Sequence, residues 1–286
     1  MTPTLVRQHP SHAGAAPRVD LRARARDWSE IQERMLVPLY EAVYERLDVG
    51  AGTRLLGLGC GSGLALLMAA SRGAAVTGVD ARAPERLALA RERLLPGTES
   101  TRARADTRIV EGSPRDADGV RGTGAYTLVT AFEPIGCLAG DSEGLGELLA
   151  EATPLAGRGT PVVLAGWGPP ERCATSSVLR VATRLADPLR SARSWRPALR
   201  DDLEEVAQRA GLRPDGSGRV ACPFGYADLA SAVRGLLSTG LFDAAVTAAG
   251  QEQVDKELTE ALHPYRRGDG TVWMPNVFRY LIARTP

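Results

Sequence analysis

Residues 53–63 have the sequence TRLLGLGCGSG, and this stretch decides the fold of the 286-residue chain. Residues 53–58 form a short, mainly apolar run, as expected of a buried parallel strand. Glycine then stands at every second position from Gly57 to Gly63, and residues 64–71 have the pattern of a helix. A strand that leads through a glycine-rich turn into a helix lets a ligand lie against bare backbone, near free amide groups.

The spacing of the glycines separates this turn from other nucleotide-binding turns. It reads G-x-G-x-G-x-G, and no frame of it gives the G-x-G-x-x-G of dinucleotide-binding proteins, because Ser62 and Leu64 stand where glycine is required. The Gly-Lys-Ser/Thr of ATP-binding loops is also missing. The turn therefore disfavours NAD and ATP as ligands, and with NAD it disfavours a dehydrogenase.

A carboxylate follows the next predicted strand. Asp80 comes directly after residues 75–79 and nineteen residues after Gly61. Because the carboxyl ends of parallel strands meet at one edge of a sheet, Asp80 can accept hydrogen bonds from both ribose hydroxyls of a nucleoside bound there. The alternative is that Asp80 only caps the helix beginning at Pro84. The turn and the acid together favour the nucleoside site.

Strands and helices alternate along the rest of the chain. The pattern predicts further strands at 107–110, 126–131, 160–165, 212–222 and 277–283, and helices at 84–95, 142–152 and 201–210. Strands that alternate with helices of this length are typical of an α/β protein. We therefore expect a doubly wound, mostly parallel sheet that is covered by helices on both faces.

Length and local composition predict the domain organisation. A chain of 286 residues favours one core with insertions over two equal domains. We expect a flexible N-terminal arm at 1–26 and a single domain at 27–286. The domain opens with an amphipathic helix over 27–47, for which a break near Pro38 is the alternative to a continuous helix. Residues 166–197 and 225–275 do not fit the alternation, and the second stretch has helical spacing. We expect both to be insertions that form a helical cap over the site.

Composition excludes several classes of partner. The formal charge of +1 gives no electrostatic reason to expect nucleic acid or an anionic membrane. The apolar stretches are too short for a membrane span or a signal peptide, so we expect a cytoplasmic protein, either a monomer or a homodimer. The four cysteines form no C-x-x-C pair and have no histidines at ligand spacing, which argues against a metal site. A small-molecule ligand is the expected partner.

Four segments together resemble the motifs of a known family. They are LLGLGCGSG at 55–63, VTGVD at 76–80, IVEGS at 109–113 and VTAFEPIG at 129–136. With them the chain resembles the class I S-adenosylmethionine-dependent methyltransferases, especially the small-molecule branch that includes ubiquinone and menaquinone biosynthesis enzymes. The resemblance covers residues 28–166 and, more loosely, 277–283. It implies S-adenosylmethionine as the cofactor and a seven-stranded sheet whose last strand is antiparallel.

The resemblance also implies which residues contact the cofactor. They are Gly57, Gly59, Cys60, Gly61 and Gly63 in the turn, Asp80 and Ala81 beside the ribose, and Ser113 and Phe132 beside the adenine and the methyl group. Two positions depart from the family. Gly57 stands where the family has an acid that helps to bind the ammonium end of the cofactor, and Ser113 stands where it has Asp. Glu111, Asp116 or Glu133 are the acids that could substitute.

Other residues are candidates for catalysis and for substrate binding. A sulfonium methyl group is already electrophilic, so the protein needs mainly to align an acceptor and exclude water. Glu133 is the candidate base for an oxygen acceptor, with cofactor contact as its alternative role. Glu133-Pro134-Ile135 matches the motif of amino-group methyltransferases poorly, which disfavours DNA adenine and protein glutamine as acceptors. The candidate substrate contacts are Trp28, Phe224, Tyr226 and His263, for which core packing or, for His263, a solvated loop is the alternative.

Two hypotheses about function follow. The first is an S-adenosylmethionine-dependent enzyme that methylates O, N or C of a small, apolar or aromatic metabolite. The second is a non-catalytic, methyltransferase-like protein that binds a ligand or regulates a partner, and it follows from the missing acids at positions 57 and 113. Cofactor binding with turnover separates the first hypothesis from the second.

Overall fold

A computed structural model describes residues 20–95, 106–118, 125–136, 142–186 and 202–286. Seven strands form one sheet in the order β3-β2-β1-β4-β5-β9-β6, and β7 and β8 form a separate hairpin. The strands are β1 (Arg54–Leu58), β2 (Ala75–Asp80), β3 (Thr107–Glu111), β4 (Leu128–Ile135), β5 (Pro161–Trp167), β6 (Arg213–Ala221), β7 (Phe224–Tyr226), β8 (Val272–Met274) and β9 (Val277–Arg284).

The strand directions confirm the predicted fold class. Strand β1 is parallel to β2 and β4, and β3 and β5 extend the parallel part on either side. The last strand, β9, lies between β5 and β6 and is antiparallel to both. The chain leaves β1 for β2 in one direction and later returns to β4 in the other. The carboxyl ends of these three strands therefore border the crevice in which doubly wound proteins bind ligands.

Helices cover both faces of the sheet, as expected. They are α1 (Leu21–Asp27), α2 (Val37–Arg46), α3 (Leu64–Ser71), α4 (Pro84–Leu94), α5 (Leu145–Ala152), α6 (Thr175–Ala186), α7 (Asp202–Arg209), α8 (Leu229–Ser238), α9 (Asp243–Ala249) and α10 (Gln251–Leu262). Leu55 and Leu56 of β1 belong to two different apolar clusters, since successive side chains of a strand point to opposite faces. Leu55 packs in the cluster that contains α2 and α3, and Leu56 in the cluster that contains α5 and α7.

The fourth strand is longer than predicted and carries part of the site. The sequence predicts a strand at 126–131, whereas β4 continues to Ile135. Its pairing with β5 is irregular between Ala131 and Ile135, so this end of the strand bends away from the regular ladder. Phe132 and Glu133 lie within the irregular stretch, at the crevice.

The segment before β1 is not one continuous helix over 27–47, and its last helix begins at Val37, next to the predicted break at Pro38. It consists of α1, a π-helical turn at Trp28–Gln32, a 3₁₀ turn at Glu33–Leu36 and then α2. A π-helical turn changes the phase of a helix, so the residues beyond it face directions that an uninterrupted helix would not give. Trp28, at the start of the π-helical turn, and Glu33, directly after it, both face the crevice.

The predicted flexible arm at 1–26 ends too late in the sequence. Asp20 caps α1, and its Oδ1 accepts hydrogen bonds from the amides of Arg22 and Ala23 at 3.0 Å each. The predicted arm rests on a composition rich in Pro, Ala and Gly without an apolar stripe, and composition does not reveal a helix cap. Residues 1–19 lie outside the described part of the chain.

The two insertions pack beside the N-terminal helices. The first, predicted at 166–197, contains α6, and its residues 187–197 lie outside the described residues. The second, predicted at 225–275, contains α8, α9 and α10 between the strands of the β7–β8 hairpin. Helix α8 contacts α1 and the π-helical turn, while α9 and α10 contact α6. Leu236 and Leu258 of this insertion belong to the same apolar cluster as the central sheet, so the insertion shares the core of the domain.

In the described parts of the chain, no single helix is both long and apolar enough to cross a membrane. Helices α8 and α9 reach the required length and composition only when taken together, and they meet at an angle of 104°.

Candidate functional site

The glycine-rich turn joins β1 to α3 through three residues with a left-handed backbone. Gly59, Gly61 and Gly63 have φ angles of +59°, +56° and +80°, a region in which any other residue type is strained. The amide of Cys60 donates a hydrogen bond to the carbonyl of Val79 at 3.3 Å. The turn is thereby tied to the end of β2, and its path requires the alternating glycines.

The space beneath the turn is filled by one leucine. A Cβ atom on Gly57 would lie 2.9 Å from Leu66 Cδ2, and a Cβ atom on Gly78 would lie 2.5 Å from Leu66 Cδ1. Leu66 thus packs against position 57, where the family that the chain resembles has an acid. Cys60 lies beside it, and burial raises the pKa of the Cys60 thiol to about 12. The thiol therefore stays protonated at neutral pH and is no nucleophile.

A cavity of about 430 Å³ lies above the turn, within the range of roughly 300 to 1,000 Å³ that is usual for small-molecule sites. We call residues 57–63 together with Asp80 the floor of this cavity, and residues 21–36 its roof. Of the residues that the sequence singles out, the cavity brings together Trp28, Gly57, Gly59, Cys60, Gly61, Asp80, Phe132 and Glu133.

Asp80 faces the cavity and holds the loop before α4, whereas the N-terminus of α4 has no side-chain cap within the described residues. Asp80 is nine-tenths buried at the end of β2 and lines the cavity. Its Oδ1 accepts hydrogen bonds from the amides of Arg82 and Ala83 at 2.8 and 3.2 Å, which fixes the carboxylate at the start of the loop before α4. Within the described residues these bonds use only Oδ1. The carboxylate is thus held in place and can still accept further hydrogen bonds.

Glu133 and Arg82 form an ion pair across the floor. Arg82 Nη2 lies 2.6 Å from Glu133 Oε2, and both side chains are more than half exposed. A Cβ atom on Gly59 would lie 3.6 Å from the carboxylate and 3.8 Å from the guanidinium, so the pair stands directly above that glycine. Glu133 is therefore not an unengaged base, because its carboxylate is paired with Arg82.

The roof places an aromatic ring over the turn. The Arg86 guanidinium lies 4.0 Å from the centre of the Trp28 ring and donates a hydrogen bond to the carbonyl of Ser238 at 2.6 Å. Burial lowers the pKa of Arg86. Trp28 Nε1 is buried and has no hydrogen-bond partner among the described residues. A buried N–H group without a partner is uncommon in folded proteins and requires an explanation.

Glu33 is a buried acid that the sequence reasoning missed. Its Oε2 accepts a hydrogen bond from Ser62 Oγ at 2.5 Å and pairs with Arg93 at 2.7 Å, while Oε1 accepts from the amide of Leu64 at 3.3 Å. Arg93 also donates to the carbonyl of Ser62 and to Ser29 Oγ, at 2.8 and 2.6 Å. The available signal was the position of Glu33, three and seven residues before Leu36 and Tyr40 on the apolar side of the predicted helix.

One wall of the cavity, next to Phe132 of β4, is apolar. Phe132 is buried there, and the Tyr40 and Tyr44 rings lie with their centroids 4.9 and 5.8 Å from its ring. Leu36 and Tyr40 line the cavity next to Phe132. Burial raises the pKa of Tyr40 well above its ordinary value, and the nearby negative charge of Glu33 raises it further. The Tyr40 hydroxyl therefore stays neutral. This wall can therefore hold an apolar or aromatic group and exclude water from it.

Six of the candidate residues do not line the cavity: Gly63, Ala81, Ser113, Phe224, Tyr226 and His263. Gly63 faces α4 instead, because a Cβ atom on it would lie 3.0 Å from Ala90 and Leu94. Ala81 follows Asp80 and is exposed. The amide of Ser113 donates to Asp116 at 2.8 Å. Of the three acids that could have substituted for the missing ones, Glu133 alone lines the cavity.

The aromatic residues of the second insertion belong to the core. Phe224 and Tyr226 are each 2% exposed, and the Tyr226 hydroxyl donates a hydrogen bond to Gln32 at 3.0 Å. The prediction that they border the pocket is wrong, since both are buried in the apolar core and neither lines the cavity. His263 is exposed at the end of α10. The cover over the site is formed by residues 21–36 and not by residues 225–275.

Solved structures share this fold. A protein of Bacillus halodurans proposed to be a methyltransferase is 14% identical over 86% of this chain and 98% of its own, with a TM-score of 0.51. For the YcgJ protein of Bacillus subtilis the identity is 16%, the coverage 86% and 98%, and the TM-score 0.50. YjhP of E. coli is 19% identical over 92% of this chain and 99% of its own, with a TM-score of 0.50.

These similarities establish the fold of the chain. No protein-family model matches the sequence, and no curated protein is significantly similar to it. The chain has the α/β fold of the class I methyltransferases, as its motifs predict. Its place in the small-molecule branch stays a prediction, because at these identities a shared fold does not identify an activity.

Proposed function

We propose that the protein binds S-adenosylmethionine in this cavity and methylates O, N or C of a small, apolar or aromatic metabolite. The observation that carries the proposal is the floor, in which left-handed glycines at 59 and 61 and the fixed carboxylate of Asp80 meet at the crevice of the sheet. When bound, the cofactor supplies a methyl group on a positively charged sulfur, which an acceptor lone pair displaces.

The residues of the floor fit a nucleoside with a charged extension. Gly59 and Gly61 have no side chain where a ligand would approach the backbone. Asp80 offers acceptor capacity to a pair of ribose hydroxyls, because its two backbone hydrogen bonds use a single oxygen. Phe132 lies in the irregular stretch of β4, lines the same cavity and provides an apolar surface. The floor thus supplies a backbone cradle, a ribose acceptor and a packing surface.

The apolar wall next to Phe132 supports the proposed acceptor class. Leu36, Tyr40 and Phe132 are apolar or aromatic and line the cavity together. Such a wall favours an apolar or aromatic acceptor, and it excludes water, which would compete for the methyl group. In this proposal the protein accelerates methyl transfer mainly by aligning the acceptor against this apolar wall.

Glu133 is proposed to take the proton of an oxygen acceptor. It lines the cavity at the end of β4, but its carboxylate is paired with Arg82. An acceptor hydroxyl would have to replace Arg82 as the partner of Glu133. Since both side chains are largely exposed, separating this pair costs only about 1 kcal/mol or less. Acceptors that lose no proton in the reaction do not need this step.

Calorimetric titration with S-adenosylmethionine and S-adenosylhomocysteine tests the proposal, with NAD as the control ligand. We expect binding of both adenosyl compounds and no binding of NAD. Release of S-adenosylhomocysteine in the presence of phenols, amines or apolar carbon acceptors then tests turnover. Absence of binding would contradict the proposal.

A non-catalytic binding protein is the second candidate function. It is favoured by the aliphatic filling beneath Gly57, where Leu66 stands in place of an acid, and by the pairing of Glu133 with Arg82. For this candidate we expect adenosyl compounds to bind without turnover on any acceptor. The same two measurements therefore separate the two candidates.

A further inference from the structure

We infer that Glu33 and Trp28 bind the α-amino-acid end of the ligand, with Glu33 accepting from its ammonium group and the Trp28 indole N–H donating to its carboxylate. This inference rests on the proposed adenosyl site, since it assigns the part of the cavity next to the nucleoside. It gives two residues of the roof a role as binding residues for one end of the ligand.

The first observation is that position 57, beneath the turn, is a glycine and holds no acid. A Cβ atom at position 57 would lie 2.9 Å from Leu66 Cδ2. The same leucine packs against Gly78 on the neighbouring strand. An ammonium group bound at the turn must therefore find its carboxylate elsewhere. Among the described residues that line the cavity, the acids are Glu33, Asp80, Glu85 and Glu133. Asp80 is engaged at the ribose position and Glu133 is paired with Arg82 at the mouth.

The second observation is the unequal use of the two oxygens of Glu33. Its Oε2 is saturated by Ser62 and Arg93 at 2.5 and 2.7 Å, whereas Oε1 has one long hydrogen bond of 3.3 Å. Oε1 would lie 3.4 Å from a Cβ atom on Gly61. The carboxylate is thus fixed on one side by Arg93, a positioning residue, and presents its other oxygen to the cavity above the turn.

The third observation is the unpartnered donor of Trp28. Its Nε1 would lie 3.5 Å from the same Cβ position on Gly61, yet no residue in the described part of the chain accepts a hydrogen bond from it. An acceptor and a donor therefore face one point above Gly61 without satisfying each other. Arg86 lies over the Trp28 ring, which adds positive charge on that side. The polarity, negative at Glu33 and positive at Trp28, matches an α-amino acid in its zwitterionic form.

Three ligands separate these contacts in calorimetric titrations of the full chain. S-Adenosylhomocysteine carries both charged groups, its decarboxylated form carries only the ammonium group, and 5′-methylthioadenosine carries neither. We expect the wild-type protein to bind them in that order of decreasing affinity. Binding of none of the three would contradict the adenosyl site itself. Equal affinity for all three would leave that site standing and overturn the present inference.

Two variants test the individual residues. Glu33→Gln should weaken binding of S-adenosylhomocysteine and of the decarboxylated form by about tenfold or more, and should change the affinity for 5′-methylthioadenosine by less than about twofold. Trp28→Phe keeps the ring beneath Arg86 but removes the N–H group. It should weaken only S-adenosylhomocysteine, by about fivefold or more.

The control is Glu30→Gln, which removes the same charge from an exposed position of the adjoining π-helical turn and should leave all three affinities unchanged. The unchanged affinity of 5′-methylthioadenosine shows that each variant is folded. If Glu33→Gln does not fold, Trp28→Phe still decides the question through its selective effect. A loss that is equal for all three ligands in either variant would overturn the inference.

Discussion

The floor and the roof of the cavity are held together by different interactions. The floor is backbone, with left-handed glycines tied to β2 through the hydrogen bond between Cys60 and Val79. The roof is a set of charged and aromatic side chains, in which Arg93 pairs with Glu33 and Arg86 lies over Trp28. A backbone cradle selects a ligand by shape, whereas buried charges select it by the groups that it carries. We therefore propose that the floor binds the nucleoside and that the roof selects the charged end of the ligand.

Gly61→Val should have the largest effect on this division. The new side chain would enter the space between Glu33 and Trp28, at 3.4 and 3.5 Å, on a backbone with φ of +56°. We expect no measurable binding of S-adenosylhomocysteine by calorimetry, because floor and roof are blocked together.

Gly159→Val is the matched control. Gly159 also has a left-handed backbone, with φ of +69°, but no atom lies within 4 Å of a Cβ atom there. It should lose comparable stability and keep its affinity. Retained binding by a folded Gly61→Val protein would place the ligand elsewhere.

Asp80→Ala should have the next largest effect and should act on the floor alone. It removes two charge-assisted hydrogen bonds to ribose, each worth roughly 1.5 to 3 kcal/mol, so affinity for S-adenosylhomocysteine should fall by about a hundredfold or more. Asp228→Ala is the control, because Asp228 also accepts a hydrogen bond from a backbone amide, that of Ser231 at 2.7 Å. Equal affinities of the two variants would show that the ribose does not contact Asp80.

The floor could be predicted from sequence because it is local. The strand, the turn, α3 and Asp80 follow one another within residues 54–80, and the observed bounds of α3 are those that the sequence predicts. Each glycine signals a backbone conformation through its residue type alone. The same reasoning overreached at Gly63, whose missing side chain makes room for α4 and not for a ligand.

Arg93→Ala should affect the stability of the roof. It leaves Glu33 buried without its cation, and breaking a buried pair in this way costs about 3 kcal/mol or more in the free energy of unfolding. Arg91→Ala is the control on the same helix, since Arg91 pairs with Glu111 at 3.6 Å on the exposed surface and should cost about 1 kcal/mol or less. Urea denaturation measures both. Equal losses would mean that the buried pair does not hold the roof.

The roof was beyond sequence reasoning because its contacts are long-range. Glu33 and Arg93 are separated by 60 residues, and their meeting depends on how α4 packs against the N-terminal segment. The π-helical turn at Trp28–Gln32 changes the phase of a helix whose apolar pattern looks continuous. In the β7–β8 hairpin Phe224 pairs with Met274, 50 residues later in the chain. Phe224 and Tyr226, which the sequence predicts to lie in a cap, are therefore buried in the core.

Arg82→Ala should have the smallest effect and tests the mouth of the cavity. Its pair with Glu133 is exposed, so the free energy of unfolding should change by about 1 kcal/mol or less. Affinity for S-adenosylhomocysteine should rise by about fivefold or less, because a ligand above Gly59 no longer has to separate the pair. A loss of affinity above about tenfold would instead show that Arg82 contacts the ligand.

A crystal structure with S-adenosylhomocysteine tests the division between floor and roof most directly. We expect both ribose hydroxyls within hydrogen-bond distance of the Asp80 carboxylate, about 2.5 to 3.0 Å. The ammonium group should contact Glu33, and the carboxylate should contact the Trp28 indole N–H. A ligand bound outside the cavity, or with its ribose away from Asp80, would contradict the assignment of the floor. An amino-acid end that points away from Glu33 and Trp28 would contradict the assignment of the roof.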